Sequence, residues 1–440
     1  MSDTNSFVIE QINKHAENNR GYLANLISEM VKIPSYSGEP KEMQLYLQDK
    51  LFHLGMDTKL IKVDPDKLDK YPGFSRDGFP FDNRYSLVGI KKGLSTGRSI
   101  LLNGHVDVVP PGDLDRWDDN PLSGKILEGK VFGRGSLDMK GGLAAALLAI
   151  KILGEMGFQN GGDIIFASSC GEETGGCGAF AIVDDGVHAD GCIILEPTKL
   201  KICNIQSGCH SFRIKITGKS IHACMAYKGV SAIDKFYLVY DALKIMDLNR
   251  HKNFNSEYRR FYENPLNIAP LNVGTVEAGE WPSSVPDLLI ATGRMGIFPG
   301  ESVEEMHSEF ESVVYETAMK DPWLEENLPV VEWYEGLFEP AATPLDHDLL
   351  KTLGCAHQHI HGKSVEFEAA TYGSDMRIFS LYGNIPTVLY GPGDVSIAHT
   401  VNEHIEISQV MQAVKSVALA LVNWCGGEFS NSSQIKRAAL

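Results

Sequence analysis

Two hydrophobic rhythms share this chain, and the places where one gives way to the other outline the expected architecture. Residues 8–34 carry apolar side chains at helical spacing (Val8, Ile9, Ile12, then Leu23, Leu26, Ile27, Met30 and Val31), predicting one amphipathic helix that ends before Pro34. Met43, Leu45, Leu47, Leu51 and Leu54 predict a second helix over 41–54, stopped by Gly55. Short apolar runs of strand length follow at 85–91, 98–102, 162–168 and 190–195. Several are separated by helical stretches such as 141–157. Strands alternating with helices predict an α/β domain whose mostly parallel sheet is flanked by helices.

The texture changes near Cys209. Residues 211–217 alternate as a half-exposed strand should, 230–246 read as a helix, and 271–286 are punctuated by glycine and proline. A second alternating strand (287–295), a helix (303–319) and a strand near 330–334 complete the stretch. That order resembles an α+β sandwich inserted into the first domain. After Phe338 the α/β texture returns, with a helix at 347–354, a strand at 385–390 and a helix at 407–422. Residues 426–440 read as a polar, mobile tail. The expected division is therefore 1–209 and 339–440 for the interrupted domain, and 210–338 for the insertion.

At 440 residues the chain exceeds one ordinary core, which agrees with two domains. A net charge of −17 argues against nucleic acid or an anionic membrane as partner, since both need a basic face. The first residues lack the basic-then-apolar order of a signal peptide, and no run of about 18 apolar residues occurs. Eight cysteines include no CxxC pair, so they read as reduced, small buried hydrophobes. A cytoplasmic location is expected.

Candidate chemistry gathers at the ends of the apolar runs, where open α/β sheets place their sites. The run at 99–102 delivers His105 and Asp107, two residues apart and so on one face; the run at 129–133 delivers Asp138. Glu172 and Glu173 follow IIFASSCG, Glu196 ends CIILE, and His399 lies in PGDVSIAHTVNE. Alone, each reads as a hydrogen-bonded or solvated residue. Together they would repel unless a cation sat among them. Histidine mixed with carboxylate suits zinc, with cobalt or manganese as substitutes. Adjacent Glu172 and Glu173 cannot point the same way, so one is expected to ligate while the other stays free as a base. GRGSLD is neither GxGxxG nor a P-loop, which disfavours a nucleotide site.

GHVDVVP, WDDNPLSGKILEGKVFGRGSLDMKGG, GEETGGCG, LEPT, GKSIHA and AHTVNE resemble, in order and spacing from about residue 22 to 420, one family of co-catalytic zinc amidohydrolases and peptidases. It includes acetylornithine deacetylase, succinyl-diaminopimelate desuccinylase, aminoacylase and glutamate carboxypeptidase. The resemblance implies that His105, Asp138 and Glu196 bind one metal, with Asp138 bridging to a second held by Glu173 and His399. It makes Glu172 the general base and later the proton donor to the amine, and has Asp107 orient His105. His222 is expected to reach a partner subunit's active site and stabilise the oxyanion, which implies a homodimer through the inserted lid domain. Glu196 in place of aspartate fits the deacetylase and desuccinylase branch.

The chain also departs from that pattern. Ala226 and Ser231 stand where a proline and an asparagine are usual after the histidine, and Ser284 where an asparagine is common. In TGRMGIFPGES the family's carboxylate-binding arginine would fall on Gly296; Arg294 lies two residues earlier, about 6.6 Å along the strand. Whether Arg294 clamps a substrate carboxylate or is structural stays open. TYGSDMR resembles the loop that closes over substrate, offering Gly373, Ser374 and Arg377 as lining residues. The expected activity is hydrolysis of an N-acyl amino acid or related small amide by metal-activated water. A dipeptidase or metallocarboxypeptidase is the alternative, and a metal- or ligand-binding protein without turnover is the third reading.

Overall fold

A computed structural model describes residues 3–36 and 40–430. The chain divides into two compact units. The first comprises Met1–Asn204, Ala342–Glu368 and Ser374–Leu440; the second comprises Ile205–Ala341 and the short return Ala369–Gly373.

In the first unit the strands Ile164–Ser169, Ile100–His105, Cys192–Ile194 and Thr387–Leu389 lie side by side and parallel. Antiparallel strands flank them, Tyr85–Lys91 and then Asp57–Lys62 at one edge and, at the other, Ile202–Gln206, the strand on which the chain passes from this unit into the second. The inner strands read as continuous apolar runs because both their faces are covered, and every residue of Ile100–His105 and Ile164–Ser169 is buried. Gly141–Glu155 is buried almost all round, packed among the helices Asp3–Asn18, Arg20–Lys32 and Ile407–Cys425. Gly142 allows that close approach: a Cβ there would come within 2.1 Å of the Leu195 carbonyl oxygen.

Several expectations are corrected. Residues 8–34 form two helices, Asp3–Asn18 and Arg20–Lys32. The break falls at Asn19, whose side-chain amide bonds back to the His15 carbonyl at 2.9 Å, a local alternative to continuing the helix. The strand Lys130–Phe132 does not join the central sheet; it pairs with Ile126–Leu127 and His404–Glu406 in a separate three-stranded sheet. Within the supposed tail, Gly427–Phe429 pairs with Phe158–Asn160, while 431–440 lie outside the described residues.

In the second unit four antiparallel strands run in the order Asn272–Ala278, Leu288–Ile297, Gly208–Thr217, Val330–Phe338. The first of these lies in the stretch punctuated by glycine and proline. Helices Ala232–Asn253 and Val303–Ala318 bury Val239, Leu243, Phe310 and Val314 with Phe212, Ile214, Leu289 and Ala291 of the strands in a core of their own. The alternation that predicted the strands at 211–217 and 287–295 is this burial on one face.

Candidate metal centre

Adjacent parallel strands open their C-terminal ends on the same edge, and three of them supply most of the site. Ile100–His105 ends on His105, Ile164–Ser169 leads through Cys170 and Gly171 into Glu172 and Glu173, and Cys192–Ile194 leads to Glu196. Asp138 and His399 arrive differently. The strands Lys130–Phe132 and His404–Glu406 pair antiparallel, with Phe132 opposite His404, so the loops beyond them meet.

The Asp138 carboxylate lies between the two histidines. Its Oδ1 is 3.0 Å from Nε2 of His105 and its Oδ2 is 3.4 Å from Nε2 of His399. Glu173 Oε1 stands 3.0 Å from Nε2 of His399, and Glu196 Oε1 stands 4.0 Å from Nε2 of His105. Ligand atoms of His105, Asp138 and Glu173 all fall within 4.8 Å of one another. His105 with Glu196 and His399 with Glu173 thus stand on either side of the Asp138 carboxylate. His399 holds a left-handed backbone, φ 60°, which a non-glycine residue keeps only where its surroundings impose it.

Asp107 bonds His105 as expected, but through its main chain. Its main-chain carbonyl, not its carboxylate, faces Nδ1 of His105, at 2.9 Å; Oδ1 is 3.9 Å away. A carbonyl can only accept, so Nδ1 carries a proton, and Nε2, which faces Asp138, is the nitrogen that would give up its proton to a cation. The two carboxylate oxygens instead accept from the N–H groups of Glu172 and Glu173, each at 3.2 Å. Asp107 therefore holds the turn that presents both glutamates. Asp77 adds to that hold, accepting from Thr174 Oγ1 and, at 2.6 Å, from the buried Arg84. Asp77 lies in an irregular stretch and left no pattern in the sequence.

Electrostatics follow from burial and crowding. Burial raises the Glu172 carboxyl well above its ordinary value, with Glu196 and Asp375 adding to it. Burial also pushes Glu196 up to about 8 and raises Glu173. Asp138 goes the other way; although buried, it is held low by His105 and His399. Its bond and that of Glu173 raise His399 to about 10, and burial of His105 is overcome by Asp138, which raises it well above the usual histidine range. Carboxylates that cannot all ionise beside each other, with the Nε2 atoms of two histidines turned to the shared one, form a donor set suited to divalent cations.

The other expected residues are scattered. Ser374 is buried, its Oγ accepting from Met376 N–H at 3.2 Å. Arg377, expected to line the substrate, is fully buried; it donates to the carbonyls of Gly73 (3.2 Å) and Gly175 (2.9 Å) and thus clamps the turn after Glu173. Between them Asp375, not foreseen, is buried and accepts from Ser169 Oγ at 2.7 Å; burial pushes it up to about 6. His222, Arg294 and Gly373 belong to the second unit. There His222 is exposed and its Nδ1 accepts from Cys224 N–H at 3.2 Å. Arg294 is exposed, opposite Ser211 and Asn272. No side chain fits at Gly296, where a Cβ would approach the Ala269 carbonyl carbon to 2.1 Å.

The profile described as "Peptidase family M20/M25/M40" matches residues 101–423. An N-formyl-4-amino-5-aminomethyl-2-methylpyrimidine deformylase of Halalkalibacterium halodurans is 30% identical over 95% of this chain and 98% of its own. A probable succinyl-diaminopimelate desuccinylase of Staphylococcus epidermidis is 27% identical over 86% of this chain and 92% of its own. Among solved structures, a tripeptidase from Staphylococcus aureus superposes with a TM-score of 0.71 at 22% identity, covering 92% of this chain and 98% of that one. That likeness is one of fold.

Raised proton affinity at Glu173, Glu196, His105 and His399 has a measurable consequence. Protons held there must leave before a cation enters, so cation affinity rises as pH climbs through about 8, where Glu196 ionises, to about 10, where His399 does, and binding releases protons. Calorimetric zinc titration in buffers of different ionisation enthalpy checks both. Affinity independent of pH, with no proton release, would contradict this electrostatic description.

Proposed function

The chain belongs to peptidase family M20/M25/M40, a family of amide hydrolases, and from that premise we propose that it is a deacylase of small N-acylated amines. The observation that carries the reading is the Asp138 carboxylate between His105 and His399, with Glu172 on the adjoining turn and its carboxyl strongly raised.

Two divalent cations fit the donor set, zinc by ligand type with cobalt or manganese as substitutes, one held by His105, Asp138 and Glu196, the other by Asp138, Glu173 and His399. When bound, they supply a lowered water pKa and polarise the amide carbonyl. Glu172 takes the proton from the attacking water and passes it to the departing amine, tasks suited to a carboxyl whose affinity for protons burial has raised. The Asp107 carboxylate keeps Glu172 and Glu173 in place through their N–H groups. His222 accepts at Nδ1, which leaves Nε2–H as a donor for the developing oxyanion.

The substrate side follows from the second unit. The resemblance puts a carboxylate-binding arginine at 296, yet that position has no room for any side chain. An acylated amine that needs no carboxylate clamp fits this, and the deformylase relative acts on an N-formyl aminomethylpyrimidine. Exposed Arg294 favours a second reading, a dipeptidase or carboxypeptidase that holds a terminal carboxylate from the shifted position.

A homodimer through the inserted unit is part of the proposal. Helix Ala232–Asn253 exposes Ile233, Tyr237, Ile245 and Leu248 at spacings that put them on one side, and the edge strand Asn272–Ala278 is largely exposed. Among the described residues no helix is long and apolar enough to cross a membrane. Among the described residues the cysteines are in the thiol form, the state that a reducing compartment maintains, and a cytoplasmic setting belongs to the same reading.

Glu172→Gln is expected to lower turnover by about 10²–10⁴-fold while cation content stays at the wild-type level. Kinetics on matched N-formyl, N-acetyl and N-succinyl amides, with and without a carboxylate, and on dipeptides check the substrate. Cleavage of dipeptides alone would make the deacylase reading wrong, and undiminished turnover in Glu172→Gln would remove the base. Charging the exposed helix stripe with Tyr237→Glu and Ile245→Glu is expected to yield monomers in sedimentation. A wild-type chain that is a fully active monomer would rule out both the dimer and a His222 role across it.

A further inference from the structure

Arg134 and Glu403 are buried, oppositely charged, and without a role in the chemistry above. Arg134 stands four residues before Asp138, and Glu403 four after His399. Pairing of Lys130–Phe132 with His404–Glu406 brings them together, and Gly133 N–H donates to the Glu403 carbonyl at 2.8 Å. Gly135 takes the chain on towards Asp138 at φ 79°, where a Cβ would stand 2.3 Å from Val108 Cγ1.

Both charged groups then reach the main chain of cation-holding residues. Glu403 Oε2 accepts from Arg134 Nη1 at 2.5 Å, and Oε1 accepts from the N–H groups of Leu137 at 3.0 Å and Asp138 at 3.2 Å. Arg134 Nη2 donates to the His399 carbonyl at 3.3 Å, and its guanidinium lies over the Trp117 ring, 5.3 Å from the centroid. A single ion pair thus grips the backbone of Asp138 and of His399, the two residues that reach the site from loops rather than from strand ends. His399 is also the one in the left-handed conformation. His105 and Glu196 owe their places to neighbouring parallel strands and need no such tie.

We propose that the Arg134–Glu403 pair is a positioning device that ties the bridging carboxylate to His399 and so sets the affinity of the cation position built from Asp138, Glu173 and His399. This rests on the two-cation reading. Partners that orient metal ligands typically change metal affinity by about 10–100-fold when removed. The pair is therefore expected to act on one binding step and largely spare the other.

The test is calorimetric titration of the metal-depleted full-length chain with zinc, in wild type, Arg134→Met, Arg134→Lys and Glu403→Gln. Melting of the metal-free proteins is read alongside. Two binding steps are expected in the wild type, and in Arg134→Met one step should weaken by about 10–100-fold while the other keeps its affinity. Glu403→Gln retains an acceptor for the two N–H groups and should lose less. Arg134→Lys should recover only part, because an ammonium lacks the fork that serves Glu403 and the His399 carbonyl together. Unchanged affinity at both steps, or equal weakening of both with a lowered melting temperature, would overturn the positioning role. A single binding step in the wild type would instead overturn the two-cation reading, and this inference with it.

Discussion

Crowded, buried carboxylates around two imidazoles are the constraint on which the first unit turns. Glu172, Glu173 and Glu196 each have their proton affinity raised by burial, while Asp138 alone is held low, between His105 and His399. Burying like charges so close together is costly unless a cation or protons compensate them. The surrounding structure is arranged to hold that unfavourable set in place. Asp107 fastens the turn of the two glutamates, Asp77 and Arg377 hold the turn beyond it, and Arg134 with Glu403 fastens the loops of Asp138 and His399.

Much of this was legible in the sequence because the relevant signals are local. Apolar runs marked the parallel strands, and each was followed within a few residues by a histidine or carboxylate. Parallel pairing of neighbours then brings those residues to one edge, which is why His105, Glu172, Glu173 and Glu196 could be named from their positions after the runs. Asp138 was named for the wrong structural reason. Its strand belongs to a small separate sheet, and the pairing with His404–Glu406 that brings it to His399 spans about 270 residues, a separation no local pattern encodes.

The side-chain roles that were not legible have a feature in common: a polar group working on main chain. Asp107 was expected to orient His105 through its carboxylate, and its carbonyl faces the ring instead. Arg377 was expected to meet substrate, and it is buried against two carbonyls. Arg134 and Glu403 lie inside stretches already singled out for their ligands, yet a charged residue reads the same in sequence whether it faces water, substrate or backbone. The break at Asn19 is of this kind too, a side-chain amide competing with the helix. At Gly296 the omission of a side chain is enforced by the Ala269 backbone, which ties the departure from the family pattern to packing.

The central proposal is that the Asp138 carboxylate would be shared by two cations. Cation content per chain, measured by mass spectrometry after equilibration at equal free zinc, tests it most directly when wild type is set beside Asp138→Asn. The account predicts two cations in the wild type and at most one in Asp138→Asn, because the amide cannot bridge as the carboxylate does. Two cations retained in Asp138→Asn at wild-type affinity, or one in the wild type, would contradict it.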